Sequence, residues 1–154
     1  MSRRVPLPML FRHLLILCAG NLCRSPLAEA LLRTRLARAG KGIEVASAGL
    51  IAAVGAPADE MTCLVAAGHG LDLSGHASRP VDPALVRWAD LVMVMEEAHR
   101  RHLLELAPVA AAKVCLLGRW SGGEIPDPYG QGRAAGEAAY DQIEAAVDAW
   151  LVRL

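Results

Sequence analysis

Leu14-Leu15-Ile16-Leu17-Cys18-Ala19-Gly20-Asn21-Leu22-Cys23-Arg24-Ser25-Pro26 passes from an apolar run, through a short polar turn, into a stripe of Leu27, Leu31, Leu32 and Leu36 that ends at Gly40. A short, continuous apolar run is the pattern of a strand buried on both faces, and the stripe has helical spacing with a glycine stop. The segment therefore predicts strand, turn, helix over Leu14–Ala39.

The same alternation continues outward. Ile43–Ser47, Leu91–Met95 and Val114–Leu117 read as further strands. Asp59–Ala67 and His99–Leu106 read as helices, closed by Gly68 and Pro108. Tyr140, Ile143, Val147, Trp150, Leu151 and Leu154 share one face of a last helix. Strands alternating with helices imply right-handed crossovers and an α/β fold, a doubly wound four-stranded parallel sheet with helices on both faces. In such sheets ligands bind beyond the carboxyl ends of the strands, where the Cys18 turn lies. The 154 residues suit one domain, with residues 1–11 expected as a flexible N-terminal extension.

Composition excludes several functions. Basic and acidic residues balance at sixteen each, so no global field draws the chain to nucleic acid or an anionic membrane. Apolar residues make up 54% and aromatics 4%, giving an aliphatic core. No apolar run approaches the roughly 20 residues needed to cross a bilayer. Arg3, Arg4 and the apolar stretch ending at Cys18 imitate an export signal, but Pro6, Pro8, Arg12 and His13 interrupt it and Leu17 is bulky where a small residue is required. A cytoplasmic protein with reduced thiols is the expectation. Four cysteines form no disulfide framework and no zinc-type spacing. His99 and His102 lie three apart on a helix without a third ligand, so no metal or other cofactor is expected.

Cys-x5-Arg alone is a weak signal in a chain with fourteen arginines and four cysteines. Alone, Cys18 reads as an inert buried thiol and Arg24 as a surface charge. Their setting supplies the specificity. Gly20 and Asn21 tolerate left-handed backbone, which turns successive N–H groups inward as an anion nest, with Ala19, Leu22 and Cys23 completing the loop. Ser25 is a suitable N-cap and Pro26 a suitable first helical residue, so the helix dipole adds positive potential. Arg24 can grip two phosphate oxygens with its planar fork. That potential favours the thiolate of Cys18, a nucleophile facing a bound phosphoryl group. Cleaving a phosphate ester also needs an acid for the leaving oxygen. The candidate is Asp127, bracketed by Pro126 and Pro128 in a glycine-rich loop, although Asp-Pro is also an ordinary turn.

Cys18-x-Gly20-Asn21-x-Cys23-Arg24-Ser25-Pro26, with Asp127-Pro128-Tyr129 near the C-terminus, resembles the low-molecular-weight protein tyrosine phosphatase family over essentially the whole chain. Ser47-Ala48-Gly49, Gly75-His76-Ala77-Ser78-Arg79, Asp90-Leu91 through Met95-Glu96 and Leu117-Gly118-Arg119-Trp120 add to the likeness. The resemblance is strongest to the bacterial branch acting beside tyrosine autokinases in capsule and exopolysaccharide export. It implies Cys18 as the nucleophile forming a phosphocysteine, Arg24 as the phosphoryl-binding group and Asp127 as acid, then base. It further implies that Ser25 donates to the thiolate and that Asn21 holds the loop, assisted by Ser47 and His76. The implied partner is a phosphotyrosine-bearing protein, and a monomer is the default. The loop after the second strand, Leu50-Ile51-Ala52-Ala53-Val54-Gly55, lacks the aromatic wall of many relatives. Leu50 and Tyr129 are then the expected walls. Cys23 is either packing or a trap for oxidised Cys18. Cys63 and Cys115 are expected in the core. Thioredoxin-coupled arsenate reduction and a non-catalytic phosphotyrosine-binding module are the alternatives. The first needs two more cysteines close together, and the second needs neither Cys18 nor Asp127.

Overall fold

The computed structural model describes residues 11–154. Nine principal elements follow in order: β1 (His13–Cys18), α1 (Arg24–Arg38), β2 (Glu44–Gly49), α2 (Glu60–Gly68), α3 (Pro83–Trp88), β3 (Leu91–Val94), α4 (Glu97–Leu106), β4 (Val114–Leu116) and α5 (Arg133–Leu151). Short 3₁₀ turns cover Pro108–Ala112 and Leu117–Trp120. The four strands form one parallel sheet in the order β2-β1-β3-β4.

β1 explains why the apolar run is continuous. Leu14, Ile16 and Cys18 face a core shared with α1, α2 and α5, while Leu15 and Leu17 face a second core under α3 and α4. Side chains of a strand alternate between faces, so a central strand must be apolar at every position. All five are at most 3% exposed.

Local signals set the helix ends. Asp59 caps α2 by accepting the Thr62 N–H at 3.1 Å, and Asp82 caps α3 from the Leu85 N–H at 2.7 Å. α1 ends at Ala39, with Gly40 at φ +68°. Three expectations need correction. α3 was not anticipated, because six residues are too few to show a helical period. α5 begins at Arg133, well before Tyr140, because its first turns are alanine-rich and carry no apolar stripe. Leu154 lies beyond α5, yet it is buried because its N–H folds back to the Trp150 carbonyl at 3.1 Å. Most of the expected N-terminal extension lies outside the described residues. Phe11, its last member, packs partly buried on the core.

Candidate active site

The turn between β1 and α1 lies at the carboxyl edge of the sheet, and its shape is held by one side chain. Asn21 is fully buried at φ 58°, the only non-glycine residue with positive φ among the described residues. Its amide donates to Ser25 Oγ at 2.8 Å and to Ser47 Oγ at 3.0 Å, and its Oδ1 accepts the Arg79 N–H at 3.1 Å. Its carbonyl accepts from His76 Nε2 at 2.7 Å, which places that ring proton on Nε2. The Ser47 hydroxyl in turn donates a hydrogen bond to Glu29 Oε1 at 2.6 Å. Ser25 Oγ, which accepts from Asn21, also lies 2.9 Å from Cys18 Sγ, and it can donate there once the sulfur is a thiolate. The Asn21 N–H reaches the same sulfur at 3.3 Å. Cys18 thus sits 3% exposed, with the Ser25 hydroxyl and the Asn21 N–H against its sulfur.

Close backbone approach completes the loop. Leu50 and Ile51 donate their N–H groups to the carbonyls of Cys18 and Ala19 at 3.0 and 2.9 Å. A Cβ on Gly49 would lie 2.6 Å from the Ala19 oxygen, so only glycine fits there.

Arg24 is 3% exposed. Its Nη1 donates to Glu96 Oε2 at 2.6 Å and to the Ile125 carbonyl at 2.8 Å. Nη2 lies 3.8 Å from Asp127 Oδ2. Nε is buried and has no partner. One edge of the guanidinium is clamped, and the residue lines the cavity that Cys18 also lines. Asp127 is about half exposed and accepts the Tyr129 N–H at 3.0 Å, a local turn that leaves Oδ2 toward the cavity mouth. The cavity of about 240 Å³ is lined by Cys18, Ala19, Gly20, Leu22, Cys23, Arg24, Ile51, Asp127 and Tyr129. A larger cleft of about 520 Å³ lies beside Glu29, Ser47 and His76, but no cysteine lines it.

The structure brings Cys18, Arg24 and Asp127 to one cavity, with Ser25, Asn21, Ser47 and His76 around the loop. Four expectations differ. Leu50 is not a wall. With Ala48 it falls on the α3–α4 side of the sheet and is buried, because side chains alternate along the strand and its extension. Ile51, 73% exposed, lines the cavity together with Tyr129, and Leu50 does not. Ser25 does not cap α1 and Pro26 is not its first residue; the cap position is Cys23, the helix begins at Arg24, and the serine hydroxyl goes to sulfur instead. Left-handed backbone falls on Asn21 and not on Gly20. Cys63 and Cys115 are only partly buried at the edge of the core.

Glu96, Glu29 and Arg79 were not anticipated as site residues. Glu96 could have been found from its place just past β3, at the same sheet edge as Cys18. Burial and nearby acids push the Cys23 thiol up to about 12. Burial, and then the Arg24 charge, hold the His99 imidazole below its usual range, although Glu96, Asp127 and Glu124 oppose this.

Comparison with known proteins follows the same lines. The family described as low molecular weight phosphotyrosine protein phosphatase matches residues 13–154. The chain is 41% identical over 145 residues to the low molecular weight protein-tyrosine-phosphatase Etp of Escherichia coli K12, covering 94% of this chain and 95% of that one. It is 43% identical over 142 residues to Wzb of Salmonella typhi, covering 92% and 93%. The solved structure of Vibrio vulnificus Wzb in complex with benzylphosphonate superposes with a TM-score of 0.88 at 40% identity, covering 94% of this chain and 99% of that one. A parallel sheet in this order, a thiol loop after its first strand and matches spanning nearly the whole chain lead to one conclusion: the chain belongs to the low molecular weight protein-tyrosine phosphatase family.

Proposed function

We propose that this enzyme hydrolyses phosphotyrosine in proteins through a phosphocysteine on Cys18. The thiolate attacks phosphorus as the bond to the phenolic oxygen breaks. The electron pair leaves with that oxygen, which takes the Asp127 proton. Asp127, now a carboxylate, then accepts a proton from water as its oxygen attacks phosphorus. The S–P bond breaks, and inorganic phosphate and the thiolate are released. The Ser25 hydroxyl and the Asn21 N–H stabilise the thiolate in both steps. Arg24 meets charge on the equatorial oxygens through its free edge, where fixed donors in a water-poor site act most strongly.

The observation carrying this reading is that Cys18, Arg24 and Asp127 line one cavity, with the Arg24 Nε buried and unpaired. A buried guanidinium N–H without an acceptor is costly, and an oxyanion in the cavity relieves the cost. The wall pair Ile51 and Tyr129 suits a flat ring, and a solved relative, Vibrio vulnificus Wzb, is in complex with benzylphosphonate. The tyrosine autokinase of an exopolysaccharide or capsule export system is the physiological partner we favour, supported by kinship with Wzb and Etp. No helix among the described residues is long and apolar enough to cross a membrane.

The test is turnover of p-nitrophenyl phosphate with EDTA present. Wild type should turn over, Cys18→Ser should not, and Asp127→Ala should lose about 10²–10⁴-fold in kcat. Full activity in Cys18→Ser would show the nucleophile to be misassigned.

A further inference from the structure

Glu96 occupies the N-cap position of α4, yet its side chain makes no capping bond. Its carboxylate is committed to Arg24 at 2.6 Å. The first N–H of α4, on Glu97, is met instead from another segment. Glu124 Oε2 accepts it at 2.7 Å. Glu124 stands three residues before Asp127 on the loop that carries the acid. The neighbouring residue is anchored to the same edge: the Ile125 N–H donates to the Met95 carbonyl at 3.0 Å, and the Ile125 carbonyl accepts from Arg24 Nη1 at 2.8 Å. Beyond Ile125, Asp127 has only local bonds, to Tyr129 and Gln131, and the 3.8 Å approach to Arg24.

We propose that Glu124 is a positioning residue for the general acid. By capping α4 from outside, it fixes the start of the acid loop on the element that also carries the partner of Arg24. Asp127 is thereby set in register with the phosphoryl group. A carboxylate is the suitable side chain, because it is an acceptor and carries the charge that a helix N-terminus favours. The proposal rests on the reading of Asp127 as the acid.

The experiment separates positioning from general weakening. Departure of phenolate from phenyl phosphate needs the acid far more than departure of p-nitrophenolate from p-nitrophenyl phosphate. The readout is therefore the ratio of kcat/KM for p-nitrophenyl phosphate over phenyl phosphate. Glu124→Ala should widen this ratio about tenfold, less than the roughly hundredfold that a 1 Å misplacement of a catalytic group can cost. Glu124→Gln keeps an acceptor and should stay near wild type.

A second variant removes the other half of the bond. Proline is tolerated at the first helical position, and Glu96 already has the extended backbone (φ −140°, ψ 154°) that precedes proline. Glu97→Pro therefore deletes the donor while retaining the helix. It should widen the ratio as Glu124→Ala does, and the pair combined should do no more than either alone. In an Asp127→Asn background, Glu124→Ala should add nothing. Equal losses on both substrates, or a widening that persists without Asp127, would overturn the proposal. A ratio widened by Asp127→Asn but by neither Glu124→Ala nor Glu97→Pro would overturn the role of Glu124 alone. A ratio unmoved by Asp127→Asn would remove the acid reading and the Glu124 proposal with it.

Discussion

Arg24 is clamped along one edge by Glu96 and the Ile125 carbonyl, and its Nε is buried and unpaired. A lysine would keep the charge but lose the planar fork and the clamp. Arg24→Lys should lower kcat by about 10²–10³-fold, the cost typical of losing one fixed oxyanion donor. Near-wild-type kcat would contradict the role given to the guanidinium. Cys23 makes a second residue-scale prediction. With its thiol pushed up to about 12, it is almost wholly protonated at neutral pH and slow to attack oxidised Cys18. Brief iodoacetamide treatment at pH 7 should leave Cys23 unmodified by peptide mass spectrometry, and rapid alkylation there would restore its case as a redox trap. Cys18, Arg24 and Asn21 were legible in the sequence because each type has one chemical reason to stand in such a turn. Ile51 was not. Whether Leu50 or its neighbour faces the cavity depends on how far β2 keeps its alternation, and the aliphatic run 50–54 carries no mark of that register.

At the scale of elements, the site depends on how closely β2 approaches the loop. A Cβ on Gly49 would meet the Ala19 carbonyl at 2.6 Å and Ala52 Cβ at 2.7 Å, whereas one on Gly42 would meet nothing. Gly49→Ala should therefore lower kcat/KM on p-nitrophenyl phosphate by at least about tenfold, a loss of 1.4 kcal/mol or more in transition-state binding, while Gly42→Ala leaves it unchanged. Equal activity in the two variants would show the loop to be more yielding than its packing implies. The caps make a plainer case. Asp59→Ala should destabilise the protein by about 1 kcal/mol in urea unfolding, because it removes the acceptor for the Thr62 N–H. The Gly40 stop was readable because it is local, whereas Asp59, expected as the first residue of its helix, proves to be the cap before it. α3 carried a local signal too, in Asp82-Pro83, but nothing periodic followed it.

For the whole molecule, the continuous strands and striped helices made the doubly wound sheet legible, since a two-sided core is visible in the pattern itself. The couplings between distant segments were not. Arg24 finds Glu96 seventy-two residues away and Ile125 one hundred and one away, and no local rule pairs them. His99 belongs to the same assembly, faced by Arg24 from α1, by Glu96 beside it and by Asp127 and Glu124 from the acid loop. Its folded pKa lies below the ordinary 6.5, so the unfolded chain binds more protons. Its contribution to stability is full above that value and is lost as pH falls below it toward the lowered folded value. Between about pH 7.5 and 5, wild type should lose more Tm than His99→Gln, and equal losses would remove His99 from the acid response. The most direct test of the central claim is mass spectrometry of an acid-quenched reaction with p-nitrophenyl phosphate, using Asp127→Ala to slow release of the intermediate. Phosphate covalently bound to Cys18 is the predicted result. Turnover with the phosphoryl group on another residue, or never covalently bound to the protein, would contradict it.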